Sequence, residues 1–142
     1  MKKILFTLLI FIVIFLIYYF NIEERVYYSS IGDQLSSGIN NFNKVDNNYN
    51  NNIKEYYKDR LSNYVNYSSI DDYRVMDLIN DINYNKTIAY NKKEYKLQNI
   101  LIKSNYITLS IGMNDIINKK NISYEYIDQL IKDIEKLFIL IR

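Results

Sequence analysis

Cysteine, histidine, proline and tryptophan are all missing from this chain of 142 residues. Without cysteine there is no disulfide, no thiolate metal site and no cysteine nucleophile. Without histidine, no imidazole among these residues can act as a general base or as a metal ligand. We therefore expect neither a metal nor another cofactor.

An excess of either charge is also missing. The chain has 18 Lys and Arg against 16 Asp and Glu, and Lys2 and Lys3 alone account for the net charge of +2. Nucleic-acid-binding domains concentrate basic residues on one face, so a nucleic-acid partner is not expected. The sixteen tyrosines could stack on saccharides or bases. They are scattered along the sequence, however, and no stacking site is predicted from them.

What the sequence does contain is one long apolar run, ILFTLLIFIVIFLIYYF, at residues 4–20. A membrane span needs about 20 apolar residues, with a range of 17–25. Lys2 and Lys3 precede the run, and the excess of positive charge on the cytoplasmic side places the N-terminus in the cytoplasm. The sequence thus predicts a single-pass transmembrane helix whose partner is the lipid bilayer of the cell membrane.

A cleaved signal peptide and a buried core helix are the alternatives for this run. Cleavage usually follows small residues, and residues 18–23 include none. An uncleaved signal anchor is therefore favoured. The predicted organisation is a cytoplasmic tip and anchor over residues 1–21, a tether over 22–25, and an extracytoplasmic domain over 26–142.

Glycine is scarce, and the three glycines fall in two short stretches, SSIGDQLSSG and ITLSIGMND. In each stretch a β-prone run (Val26–Ile31 or Tyr106–Ile111) leads into a glycine and then an aspartate. This order is typical of a strand that ends at the carboxyl edge of a parallel sheet and leads into a helix. Two strand ends of one sheet are therefore predicted.

Periodicity predicts the remaining elements. Helices are expected over residues 51–62, 74–84, 97–103 and 124–141, a short strand over 64–68, and a hairpin over 86–95 that turns at Asn91. Asp71 or Asp72 is expected to cap the second helix and Ser123 the last one. Strands alternating with helices indicate an α/β domain with a parallel sheet. With so few strands, the last one is expected to leave an unpaired edge.

The two glycine motifs resemble those of a known family. Gly32-Asp33-Gln34-Leu35 and Gly112-Met113-Asn114-Asp115, each behind a strand and about 80 residues apart, are similar to two signatures of the SGNH (GDSL) hydrolases. These are secreted or membrane-anchored esterases and lipases. The resemblance covers residues 26–142, and the 77–82 helix is similar to that of a membrane-anchored subgroup from Gram-positive bacteria.

The resemblance implies a flavodoxin-like, three-layer α/β/α fold with its site at the carboxyl ends of the strands. In the family, a serine of the first signature attacks the ester, a histidine near the C-terminus is the base, and an asparagine of the third signature helps to hold the oxyanion. By this resemblance, Gln34 occupies the nucleophile position and Asn114 the oxyanion-hole position. Asp33 and Gly112 are their neighbours in the two motifs.

This chain departs from the family pattern at the groups that do the chemistry. An amide at Gln34 cannot attack an ester, and the second signature, expected near residues 66–70, lacks its glycine. There is no histidine, and the sequence stops before the segment that carries the family's Asp-x-x-His. Ser36 or Ser37 could replace the nucleophile only with a base beside it, so turn residues are favoured there. The sequence predicts an apparently truncated, catalytically inactive member.

Two roles stay open for the polar residues behind the strands. Asp33 and Asp115 could form an acid/base or metal pair, but capping and loop stabilisation are favoured. Asn114 could serve the site or stabilise its loop. The leading functional hypothesis is an inactive envelope acyl-ester hydrolase. The alternatives are a non-catalytic module that binds an envelope ligand and a membrane-anchored α/β domain outside the family.

Overall fold

The computed structural model describes residues 2–20, 25–33, 48–68, 72–117 and 119–142. In chain order the helices and strands are α1 (Lys2–Phe20), β1 (Val26–Gly32), α2 (Tyr49–Tyr56), β2 (Leu61–Ser68), α3 (Val75–Asn83), β3 (Thr87–Tyr90), β4 (Lys93–Lys96), α4 (Leu97–Lys103), β5 (Tyr106–Ser110), α5 (Met113–Ile117) and α6 (Tyr124–Ile141). The predicted mixed α/β class is confirmed.

A parallel sheet of three strands, in the order β2-β1-β5, organises the domain. β1 is central and pairs Gly32 with Ser68 on one side and with Ser110 on the other. β5 lies at an edge of this sheet, as the sequence predicts, while β3 and β4 form a separate antiparallel hairpin. The predicted parallel sheet is thus confirmed.

The hydrophobic core lies on one face of this sheet. Ile31 and Val65 of the strands pack against Leu78 and Ile79 of α3, Leu97 of α4 and Leu137 of α6. All six are almost completely buried, and burying such a side chain contributes about 1.5–3 kcal/mol. The predicted helix over 124–141 is confirmed as α6, which buries Leu130 and Leu137 but leaves Ile131 and Phe138 exposed. Its predicted cap is confirmed as well, because the Ser123 hydroxyl accepts a hydrogen bond from the Tyr126 amide.

The opposite face carries a polar layer beneath α2. The Asn50 side-chain oxygen accepts hydrogen bonds from the hydroxyls of Tyr28 (3.0 Å) and Ser30 (2.9 Å). The Tyr28 hydroxyl also pairs with that of Thr108 at 2.9 Å. Helices therefore contact both faces of the sheet, one through an aliphatic core and the other through hydrogen bonds.

Two predicted boundaries and one predicted cap are wrong. The helix expected over 51–62 ends at Tyr56, and the strand expected from residue 64 begins at Leu61, because Leu61 pairs with Val26 of β1. α3 is capped by Arg74, whose backbone amide donates to the Asp77 carboxylate at 2.9 Å, and not by Asp72. Asp71 lies outside the described residues. The short helix α5 was not predicted.

The predicted hairpin is confirmed, and Asn91 and Lys92 form its turn. Asn91 and Lys92 both have positive φ, at 49° and 63°. Two consecutive positive φ angles are the requirement of a type I′ turn, which matches the twist of the strands that it joins. Lys92 is held in this conformation by the register of β3 with β4, where Tyr90 pairs with Lys93.

The predicted N-terminal helix is present as α1, with 19 residues. Every described side chain from Phe6 to Tyr19 is exposed. Among the described residues, no helix combines the length and the apolar character that a membrane span requires. The predicted tether lies outside the described residues except for Arg25.

A polar cluster holds α3 to β2. The Asp81 carboxylate accepts hydrogen bonds from the hydroxyls of Tyr67 and Tyr73 (the latter at 2.7 Å) and pairs with Lys86 Nζ at 2.9 Å. Burial alone would raise the pKa of Asp81, but these three donors outweigh it and lower that pKa. The carboxylate therefore stabilises the fold only while it is ionised.

Asp81→Asn is expected to lower the free energy of unfolding by about 1–3 kcal/mol at neutral pH, because the charged hydrogen bonds are lost. Since the folded pKa lies below the ordinary value of 3.8, this stabilisation is complete above that value and lost as the pH falls through the folded pKa. The free energies of unfolding of wild type and Asp81→Asn, measured in urea, should therefore become equal in acid.

Asp128→Asn is the matched control, because Asp128 is exposed on α6. It should change stability by less than about 0.5 kcal/mol. If the two substitutions cost the same, or if the difference between wild type and Asp81→Asn is independent of pH, the role given to the Asp81 cluster is wrong.

Candidate functional site

The carboxyl ends of β1 and β5 meet through their backbones. The Asp33 amide donates to the Ser110 carbonyl at 2.7 Å, which extends the pairing of Gly32 with Ser110 by one residue. The Ser110 hydroxyl in turn donates to Asp33 Oδ1 at 3.3 Å. Asp33 is completely buried. The two predicted strand ends are therefore neighbours, and they bring an aspartate and a serine together.

Gly32 is required where the two strands meet. Its φ is +142°, and a Cβ built on it would lie 1.8 Å from the Ser110 carbonyl oxygen. No side chain fits there unless the strands separate. Gly112 differs: its φ of +104° also favours glycine, but the nearest atom to an added Cβ is Val75 Cγ2 at 3.9 Å. Position 32 thus requires glycine both because a side chain would clash and because of its backbone conformation. Position 112 favours glycine because of its backbone conformation alone.

Asn114 and Asp115, on α5, connect this edge of the sheet to the start of α3. Asn114 Nδ2 donates to the Tyr73 carbonyl at 3.0 Å, and Asp115 Oδ2 accepts from the Val75 amide at 3.1 Å. Burial raises the pKa of Asp115, and the hydrogen bond from Val75 opposes that rise. Asp115 therefore binds the first backbone amide of α3, 40 residues away in the sequence.

A cavity of about 380 Å³ opens beside the two strand ends. Its polar side chains are those of Asp33 and Ser110, and its backbone includes Gly112. The remainder of its wall is mainly aliphatic and comes from Leu109, Ile111, Ile116, Leu130 and Ile134. A largely apolar wall with a few polar groups is typical of small-molecule sites.

The cavity lies at the point where the order of the strands reverses. From β1 the chain passes through α2 to β2 on one side, then crosses β1 to reach β5 on the other. In open α/β sheets, ligands bind outside the carboxyl ends of the strands at such a switch point. The topology thus marks this cavity as the candidate site.

The predicted site residues are only partly brought together. Asp33 and Gly112 line the cavity. Asn114 is buried in the adjoining helix and does not line it. Gln34, Ser36 and Ser37 lie outside the described residues, as do residues 69 and 70 of the expected second signature.

Sequence reasoning missed Ser110. It is the last residue of β5, and its hydroxyl is the only one from the described residues in the cavity wall. The signal was available, because a polar residue at the end of a strand and two positions before a glycine lies at the carboxyl edge. Within the described part of the chain, no group of three or more Asp and Glu side chains could hold a metal ion.

Comparisons of this chain with protein-family models, with curated proteins and with solved structures find no match.

Gly32→Ala and Gly112→Ala form a matched pair that tests the contact between the strands. Gly112→Ala is expected to lower the free energy of unfolding by about 1–3 kcal/mol, the cost of an unfavourable φ. Gly32→Ala adds a backbone clash and is expected to cost more than about 4 kcal/mol or to abolish cooperative unfolding. Urea unfolding followed by circular dichroism measures both.

Equal costs for the two substitutions, or a larger cost for Gly112→Ala, would show that the Gly32 backbone does not lie against Ser110.

Proposed function

We propose that residues 26–142 form an SGNH-type, flavodoxin-like domain that binds an acyl-ester ligand of the cell envelope at the switch-point cavity without hydrolysing it. One observation carries the proposal. The strands that precede the two SGNH-like motifs are neighbours, so Asp33 and Gly112 line a single cavity. The two motifs are about 80 residues apart in the sequence, and the site that the resemblance implies lies at the carboxyl ends of the strands, where this cavity opens.

The lining of the cavity supports binding of an ester. Its aliphatic wall suits an acyl chain, and burying each methylene of such a chain contributes about 0.8 kcal/mol. The Ser110 hydroxyl is already engaged by Asp33, at 3.3 Å, and is placed to orient a polar head group. Two residues of its wall, Met113 and Ile116, are 42% and 45% exposed, so the cavity is accessible from solvent.

The residues of this chain argue against hydrolysis of the ester. Activating a serine requires a base that accepts its proton, and removing one member of a catalytic triad costs a factor of about 10⁴ to 10⁶. These 142 residues contain no imidazole, and Gln34 has no nucleophilic oxygen or sulfur. One N–H of Asn114 is used by the Tyr73 carbonyl, where it holds the loop before α3. Binding without hydrolysis is therefore favoured over an active esterase.

The full chain in detergent is expected to bind a short-chain acyl ester saturably and to hydrolyse p-nitrophenyl butyrate no faster than buffer does. Ile116→Trp should weaken binding about tenfold or more, because an indole fills the cavity and blocks the acyl chain. Binding is measured by saturation-transfer NMR and hydrolysis by release of nitrophenolate.

Ile117→Trp is the control for the cavity. Ile117 is the next residue of α5, is exposed and does not line the cavity, so its substitution should leave binding unchanged. Turnover that disappears in Ser110→Ala or Asn114→Ala would contradict the non-catalytic assignment. Binding that is unaffected by Ile116→Trp would contradict the assignment of the cavity.

For localisation, we propose that α1 attaches the chain to the cell membrane, with the N-terminus in the cytoplasm. α1 exposes apolar side chains on every side between Phe6 and Tyr19. A helix that is apolar all round is stable only when something other than water surrounds it. The tyrosines at its end suit the interface between lipid and water, and Lys2 and Lys3 suit the cytoplasmic side.

The full chain expressed in bacteria is expected to stay in the membrane pellet after carbonate extraction. Val13→Lys combined with Leu16→Lys should release it, because each charge in the apolar core costs about 2.5–3.5 kcal/mol. The control places the same two charges on exposed tyrosines of the domain, as Tyr84→Lys combined with Tyr124→Lys. Release of the unmodified chain would contradict the attachment.

A further inference from the structure

Tyrosines from separate parts of the sequence meet in a second cavity of about 380 Å³, between α2 and β5. Tyr28 comes from β1, Tyr56 and Tyr57 from the end of α2, and Tyr106 from the start of β5. We call this cavity the tyrosine groove. The tyrosines are scattered in the sequence, which gave no reason to expect a stacking site. The fold nevertheless brings four of them together in one cavity.

The rings of the tyrosine groove present flat surfaces in two orientations. Tyr57 stacks on Tyr106 with ring centroids 5.1 Å apart and an angle of 23° between the planes. Tyr56 meets Tyr57 edge to face, at 4.8 Å and 83°. Tyr56 is 75% exposed and Tyr106 is 49% exposed, so both keep ring surface free for a ligand.

The wall behind the rings is fixed before any ligand binds. The Tyr28 hydroxyl is held by Asn50 and Thr108, at 3.0 and 2.9 Å. α2 is fixed at its start by the Asn48 side chain, which accepts from the Asn51 amide at 2.9 Å. A groove that is already ordered loses little conformational entropy when it is filled.

No lining residue of the tyrosine groove is charged. Of the cations nearby, Lys58 is paired with Glu55 at 2.8 Å. Lys54 Nζ lies over the Tyr64 ring at 4.8 Å and the Arg60 guanidinium over the Tyr57 ring at 5.3 Å. A single-stranded nucleic acid needs a basic track for its phosphates beside such rings, and this groove lacks one. The lining therefore fits a neutral ligand.

We propose that the tyrosine groove binds a neutral carbohydrate. One face of a pyranose ring is covered with weakly positive C–H groups, which pack on the negative face of an aromatic ring. The rim of the sugar needs hydrogen-bonding groups, and the groove supplies the Asn52 amide and tyrosine hydroxyls in addition to its rings. Phenylalanine rings would serve an apolar ligand equally well, whereas the hydroxyls on the exposed rings favour a ligand that is itself hydroxylated.

This site is independent of the ester-binding proposal. The tyrosine groove and the switch-point cavity share no lining residue. Binding at one can therefore succeed or fail without the other.

The test uses the full chain in a detergent without a sugar head group, titrated calorimetrically with the neutral trisaccharides of N-acetylglucosamine and of glucose. At least one is expected to bind saturably at millimolar or lower concentration. Tyr56→Ala and Tyr106→Ala should each weaken that binding about three- to tenfold. Tyr56→Phe, which keeps the ring, should retain most of the affinity.

Tyr84→Ala and Tyr124→Ala are the controls, since both tyrosines are highly exposed and lie outside the groove. They should leave sugar binding unchanged, and circular dichroism checks that every variant is folded. The proposal is overturned if neither trisaccharide binds, if Tyr56→Ala leaves the affinity unaltered, or if the groove binds oligothymidylate in preference to sugar. Sedimentation that shows a dimer disrupted by Tyr56→Ala would also overturn it, because a second copy would then occupy the groove.

Discussion

The backbones of Gly32 and Ser110 lie so close together that no side chain fits between them, and most of the architecture depends on this contact. It fixes the register of β1 with β5 and places the Asp33 amide 2.7 Å from the Ser110 carbonyl. The switch-point cavity exists because the two strands end side by side. A slip of one residue along β5 would turn the side chains of Ile107 and Leu109 from the core to the polar face. Two features therefore fix the register of β1 with β5: the absence of a side chain at Gly32 and the packing of β5 into the hydrophobic core.

The two faces of the sheet perform different tasks. One is covered by α3, α4 and α6 and supplies the hydrophobic core, so it provides most of the stability. The other is joined to α2 by hydrogen bonds to Asn50 and carries the tyrosine groove. Polar layers of this kind are favourable only when their groups are paired, which constrains the position of α2 closely.

Much of the fold could be predicted from the sequence because its signals are local. The helix α6, its Ser123 cap and the hairpin at Asn91 are each specified by residues that lie close together in the sequence. The end of α2 could not be predicted, since Leu61 joins β2 only through its pairing with Val26, 35 residues away. Local propensity gave way there to a tertiary contact.

Part of the candidate site could likewise be predicted from the sequence, and part could not. Asp33 and Gly112 could be located because motifs mark strand ends, and strand ends share an edge. The side chains of Asn114 and Asp115 point elsewhere, since both bind the start of α3. The tyrosine groove draws residues from β1, α2 and β5, and the Asp81 cluster draws them from β2, α3 and the loops on either side of α3. Nothing in their local sequence signals that they meet. Contacts of that kind become visible only once the register of the sheet is known.

The measurement that tests this account most directly is the backbone NOE pattern of the uniformly labelled chain in detergent micelles. The account predicts NOEs that connect the amide and α protons of Ile31, Gly32 and Asp33 with those of Leu109, Ser110 and Ile111, in parallel register, together with slow exchange of the Asp33 amide proton. NOEs that join β1 to a different strand, or join it to β5 in another register, would contradict it.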